Sequence, residues 1–207
     1  MEPPSRHTVW QISGGPASRA YADVFLLHGV ALIGPGDAGT WSPERADDEF
    51  EGAFVRRFAS EVKAGDVVLL RTGIATITAL GLVAGDYLYV NAFDDVNGWD
   101  LQHARRVRWC RLPVEHAFAD AAFGANSPCC SRVWNKEVVD FAERFLKSPP
   151  THWQTGPLPE LPAEDAPLDQ VPIALQGDVE VRADGSDMTH HKDRRSRASQ
   201  RAGLQAQ

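Results

Sequence analysis

The residues with the clearest chemical potential lie in "GVALIGPGDAGTW", Gly29 to Trp41. Gly34, Gly36 and Gly39 satisfy G-x-G-x-x-G, the spacing at which backbone amides and a helix N-terminus can cradle a pyrophosphate. The apolar run Val30 to Ile33 ahead of them suits the strand such a turn requires. Three features oppose a dinucleotide site. The helix should open at the last glycine so that its free amides face the phosphates, yet Thr40-Trp41-Ser42-Pro43 intervenes. The next strand-like run ends in Leu70-Arg71-Thr72, with no acid to hold a ribose. Three strand-like runs then follow in a row, where β-α alternation is needed. The loop therefore reads as a flexible turn beside Trp41, and a nucleotide-binding enzyme is the lesser alternative.

Other reactive groups are present without the spacing that chemistry needs. Asp47-Asp48-Glu49 and Asp94-Asp95 could hold a divalent ion for phosphodiester cleavage, but adjacent loop acids are usually solvated and no lysine accompanies them in the pattern nucleases use. Cys110, Cys129 and Cys130 form no C-x-x-C pair, and an odd count argues against a disulfide framework. Cys129 or Cys130 could pair with His116 as a nucleophile, or join His103 and His116 around zinc, only if folding converged them. G-x-S-x-G, H-E-x-x-H and the P-loop lysine are missing. The expectation is a non-enzymatic protein with no metal and no cofactor.

Composition narrows the class further. The chain has 207 residues, 43% of them hydrophobic, and a formal net charge of -7. That is enough apolar material for one core, and no run approaches the roughly 20 apolar residues of a membrane helix. Met1-Glu2-Pro3-Pro4 begins no signal peptide, so a cytoplasmic protein without a membrane partner is expected. Proteins that grip nucleic acid chiefly through phosphates are usually basic, so the acidic balance leaves only a local patch for that role.

The elements that must position any site follow from periodicity. "TVWQI" (residues 8–12) reads as a strand ending in the turn cluster Ser13-Gly14-Gly15-Pro16. "SRAYADVFLLHG" makes a helix stopped by Gly29, and residues 30–33 a short buried strand. Phe54, Val55, Phe58, Ala59 and Val62 recur at helical spacing, giving an amphipathic helix over 51–62 with Arg56, Arg57 and Glu61 outside. "DVVLLRT", "IATITALGLV" and "DYLYVNAF" predict three consecutive antiparallel strands, broken at Thr72-Gly73 and Ala84-Gly85-Asp86. "HARRVRWCRL" (103–112) predicts another strand. A helix over about 133–147 closes the domain, with Val138, Phe141, Ala142, Phe145 and Leu146 on one stripe. This order implies an α+β fold, a small curled and mostly antiparallel barrel flanked by helices.

After Lys147 the composition changes. "TGPLPELPAEDAPLDQVP" is rich in proline and acid, and "THHKDRRSRASQRAGLQAQ" is polar and free of aromatic residues. Such segments bury too little apolar area to offset their ordering entropy. Residues 1–147 are therefore read as the domain and 148–207 as a linker and disordered tail, with "VPIALQGDVEV" (171–181) as a single strand that could dock. His190-His191 and Arg194-Arg195-Ser196-Arg197 invite metal or nucleic-acid readings, although short charged ends are usually just solvated.

"VWQI", "ALIG", "FVRRFASEVKAGDVVLL", "ALGLVAGDYLY" and "ARRVRWCRLP" occur in that order over residues 8–112. In this order and spacing the chain resembles PUA-like domains of the EVE/YTH/ASCH superfamily, most of all those of modification-dependent restriction systems. The resemblance implies a curled barrel that binds one flipped-out, often modified base of DNA or RNA between aromatic walls. Carried onto this sequence, the base-pocket candidates are Trp10, Ser13, Trp41, Asp95, Asn97, Trp99 and Asp100. Arg56, Arg57, Arg105 and Arg106 are the candidates for backbone phosphates. Trp109 and Tyr89 read as sheet-packing residues, and Trp10 divides evenly between core and pocket. The chain departs from the family in the long acidic stretch Phe93 to Gln102 and in Asp37 within the glycine loop. No nuclease or motor segment follows, so cleavage would fall to a separate effector protein. A protein-interaction subunit that keeps the fold without the pocket is the main alternative.

Overall fold

A computed structural model describes residues 7–15, 21–50, 53–96, 98–119, 121–124, 128–149 and 157–164. Six strands form one sheet in the order β2-β5-β4-β3-β1-β6. They are β1 (Val9–Ser13), β2 (Val30–Ile33), β3 (Val67–Thr72), β4 (Thr76–Tyr89), β5 (His103–Ala117) and β6 (Cys130–Arg132). β1 and β3 pair in parallel, from Val9↔Val67 to Ser13↔Arg71, while every other pairing is antiparallel. The sheet is thus mixed. β2 and β6 stand at opposite ends of the strand order, so the curled sheet is an open half-barrel.

Strand alternation divides the core in two. Trp10, Ile12, Val68, Leu70 and Ala79 point to one face, where they meet α1 (Ala22–His28), α2 (Ala53–Ser60) and all four residues of β2. Val9, Val67, Leu69 and Leu80 point to the other and are covered by Val138 and Ala142 of α3 (Lys136–Lys147). This is the period-2 rule of a sheet buried on both sides. Asn135 caps α3 by accepting from the Glu137 and Val138 amides at 3.0 and 3.3 Å. Gly29 ends α1 in the left-handed region at φ 58°, as its position past the last apolar residue predicts.

The expected third strand of the central run does not exist as a separate element. β4 continues through Ala84-Gly85-Asp86 as a bulge, its pairing with β5 shifting between Val83↔Val107 and Tyr87↔Arg105. Looped-out residues bend a strand and raise its twist without ending it, and this bulge helps curl the sheet. β5 also runs five residues past the expected end at Leu112, because β4 offers partners as far as Ala117. Among the described residues no helix is long and apolar enough to cross a membrane.

Composition places residues 157–164 in the linker, yet they lie on the domain. Leu161 packs against the apolar cluster of α1 and β2, and the Asn91 amide donates to Glu164 at 3.0 Å. Three prolines in this octet reduce the entropy lost on docking. Residues 171–181 and the basic stretch from His190 lie outside the described residues.

Candidate functional site

The glycine loop leaves β2 and is braced from the sheet beneath it. Tyr87 and Tyr89 sit two apart on β4, on one face, and His103 opens β5 directly opposite Tyr89. The Tyr87 hydroxyl lies 2.7 Å from His103 Nδ1, and His103 Nε2 lies 3.0 Å from the Pro35 carbonyl. A carbonyl only accepts, so Nε2 carries the proton and Nδ1 must accept from Tyr87. The Tyr87 oxygen in turn accepts from the Trp41 amide at 3.0 Å. Tyr89 donates to the Gly36 carbonyl at 2.5 Å. Both ends of the loop, Pro35 and Trp41, are therefore tied to one tyrosine–histidine pair.

Burial drives the chemistry of that pair. His103 has no exposed surface, and burial first of all lowers its pKa from the usual 6.5 to about 4, outweighing the opposing Pro35 carbonyl and Asp37. Its ring stacks on Tyr87 with centroids 5.9 Å apart and meets Phe50 edge-on at 6.1 Å. Arg45 closes the outer side of the loop, donating to the Ala38 and Thr40 carbonyls at 2.7 and 2.9 Å while lying 4.5 Å from the Phe50 ring centroid.

One half-buried tryptophan, Trp41, stands above this base, and a second, Trp99, stands on the neighbouring loop. Trp41 packs edge-to-face on Tyr87 at 6.4 Å, and Trp99 packs edge-to-face on Tyr21 at 6.3 Å. Trp99 is held by a two-way bridge to Val96, at 2.8 and 3.1 Å. The buried indole N–H of Trp41 has no hydrogen-bond partner among the described residues. The two loops meet where Gly34 lies against Asp100. A Cβ on Gly34 would stand 1.8 Å from the Asp100 carbonyl oxygen. Gly34→Ala must therefore push the loops apart, and we expect a loss of about 1–3 kcal/mol, the usual range for overpacking. Urea denaturation followed by tryptophan fluorescence measures it, and an unchanged midpoint would show that the loops do not depend on this contact.

The remaining candidates divide sharply. Ser13 is half-buried at the end of β1, its hydroxyl accepting from the Gly15 amide at 3.3 Å. Asp95 accepts from the Gly98 amide at 2.7 Å and shapes the Trp99 turn, while Asn97 lies outside the described residues. Trp10 is 2% exposed and donates to Asp66 at 2.9 Å, which makes it a core residue and not a pocket wall. Arg105 is buried and committed to carbonyls, so it is removed from the phosphate candidates. Arg56 is paired with Asp47 at 2.9 Å and Glu61 at 3.7 Å. Arg57 is half-buried near the end of α2, and Arg106 lies under residues 157–164. The glycine loop faces no α-helix start, because the next helical turn is the 3-10 segment Asp47–Phe50. His116 stacks on Phe141 on the α3 side, whereas Cys129 packs into the opposite cluster, so the two do not form a nucleophile pair. Burial pushes the Cys129 thiol up to about 11, which keeps it protonated.

A family profile described as a domain of unknown function (DUF8426) matches residues 10–126. The chain belongs to this family. No curated protein matches it. The family region carries nearly all of β1, then β2 to β5, α1 and α2, and every base-pocket and phosphate candidate above. It leaves out β6, α3 and residues 157–164.

Within the family region, sequence reasoning passes over Tyr87, reads Tyr89 as a sheet-packing residue and considers His103 only as a chance zinc ligand, so it does not bring the three together. "DYLY" places two tyrosines at i and i+2, hence on one face of a strand, which is the signal available for that face.

Proposed function

We propose that this protein is a non-enzymatic nucleic-acid-binding module with a PUA-like fold, which reads a flipped and modified base between Trp41 and Trp99. The observation that carries this reading is the pair of half-buried tryptophans on abutting loops, Trp41 having an unpartnered indole N–H and packing on the tyrosine–histidine pair. Extruding a base costs a few kcal/mol, and an aromatic face returns about 1–3 kcal/mol per stacked base. Braced loops limit the further entropy lost on binding. Asp95 and Asp100 flank Trp99 as hydrogen-bonding groups for a base edge, and Arg57 remains for phosphate, since Arg106 is taken up by the Pro159 carbonyl. The setting that fits is cytoplasmic defence or regulation, with cleavage or signalling left to a separate nuclease or effector.

Oligonucleotides with and without 5-methylcytosine, 5-hydroxymethylcytosine or N6-methyladenine test the proposal at low salt. A modified strand should bind better than its unmodified control, and Trp41→Ala and Trp99→Ala should each weaken binding by about 1–3 kcal/mol. Equal binding of every strand removes the base-reading function. The net charge of -7 favours a second reading, a protein-interaction subunit that keeps the fold. On that reading no oligonucleotide binds and both tryptophan variants leave partner capture intact.

A further inference from the structure

Residues 157–164 cross the domain at one corner, where α1 ends, β5 passes and the 3-10 turn Asn91–Phe93 leads into the Trp99 loop. Pro159 sits on Gly29, where a Cβ would stand 2.9 Å from the proline Cδ. Gly29 thus serves both the left-handed cap and the close approach of this segment. The Arg106 guanidinium donates to the Pro159 carbonyl, and His28 faces the Glu160 backbone. Leu161 adds the apolar anchor, and Glu164 accepts from Asn91. His28 also packs edge-on against Phe93 at 5.8 Å. The segment therefore reaches the Asn91–Phe93 turn directly through Glu164 and indirectly through His28.

That turn holds the Trp99 loop in place. The Val90 amide donates to Gln102 at 2.8 Å, the Leu101 amide donates to Phe93 at 2.9 Å, and the Val96–Trp99 bridge closes the loop between them.

We propose that Pro157 to Glu164 is a detachable lock on the loop that carries Trp99 and Asp100. When docked, it holds the Asn91–Phe93 turn and fixes the loop. When released, it lets the loop open without unfolding the sheet. Its anchoring is light enough for this, since Pro157, Pro159, Glu160, Ala163 and Glu164 are exposed and Leu161 is only half-buried. Segments held by few buried contacts open locally at far lower cost than the core. Proline-rich segments of this kind also dock and leave with little change in backbone order. The lock matters for function through the base-reading proposal, but its docking and release do not depend on any nucleic acid.

Hydrogen exchange on the full chain tests the lock directly. Leu161→Ser removes the apolar anchor and Arg106→Gln removes the guanidinium that holds Pro159. In both variants the amides of Val90, Phe93, Val96, Trp99 and Leu101 should exchange faster, by about threefold or more. The Val133 amide, bonded to Val9 on the far side of the sheet, and the Val139 amide in α3 should keep their rates and report an intact fold. Unchanged exchange across 90–102 in both variants overturns the lock. So does equal acceleration of the Val133 and Val139 amides, because that is global destabilisation. Neither result bears on whether a base is read.

Discussion

Replacing Arg105 with leucine is expected to cost about 3–5 kcal/mol and to lower the melting temperature by roughly ten degrees, judged from buried charged groups and domains of this size. Arg105 is 2% exposed. Its guanidinium donates to the carbonyls of Ala59 at 2.5 Å, Phe58 at 3.4 Å and Gly85 at 3.2 Å. Two of these acceptors lie in the last turn of α2, where helix carbonyls lack intrahelical partners and the dipole favours a cation. The third belongs to the bulge of β4. Leucine fills much of the volume but leaves these carbonyls buried and orphaned, at about 1–3 kcal/mol each. Burial lowers the Arg105 pKa, opposed by Asp86 and Asp66, which favour the charge. Arg105→Lys should fall between, since lysine restores charge without the planar fork. Its neighbour supplies the contrast, because half-buried Arg106 should cost under about 1 kcal/mol when replaced, as exposed polar contacts do. A denaturation midpoint for Arg105→Leu within experimental error of the parent would remove this residue from the fold's essential contacts.

Acidification should loosen the glycine loop and destabilise the domain between pH 6.5 and pH 4. The folded pKa of His103 is about 4, below its usual 6.5, so the unfolded chain binds the extra proton first. Stability linked to His103 is complete above pH 6.5 and is lost as pH falls toward 4. At ~1.36 kcal/mol per pKa unit the full effect is roughly 3 kcal/mol. The structural cause is specific. A proton on Nδ1 displaces the Tyr87 hydrogen, and the chain from Trp41 through Tyr87 to His103 and Pro35 loses its order. Carboxylates add their own acid loss at lower pH, so the test is a difference between proteins. His103→Gln should be less stable than the parent at pH 7.5, and its stability should fall less between pH 6.5 and 4.5. If both proteins lose the same free energy over that interval, His103 is not the group that titrates.

Much of the architecture was legible because it depends on local periodicity. α2 and α3 carry apolar stripes at 3.6-residue spacing, and each appears within three residues of its expected start. Gly29 stops α1 because only a left-handed residue satisfies the cap there. Several residues of the motifs that carry the PUA-like resemblance have packing roles in this fold. Trp10 is joined to the Gly65-Asp66 turn because the indole donates to Asp66, which also takes the Lys63 amide at 2.9 Å. Trp109 donates to the Val30 carbonyl at 2.8 Å, which joins β5 to β2. These tryptophans are held by the fold, while Trp41 and Trp99, in polar loops, stand at the candidate site.

By itself, the sequence determined the helices, the strand-rich middle, the loop character of "GPGDAG" and the choice of Trp41 and Trp99. These follow from spacing, turn chemistry and the rarity of large aromatics in polar loops. Only the tertiary structure decided that β1 pairs in parallel with β3, that β4 bends without breaking, and that Trp10 and Arg105 belong to the interior. It also brought Tyr87, Tyr89 and His103 under the glycine loop and laid Pro157 to Glu164 across the domain. The physical reason is common to all of them. Each depends on partners some 15 to 130 residues away, and a single sequence records local preference but not which distant carbonyl, ring or strand edge completes a buried group.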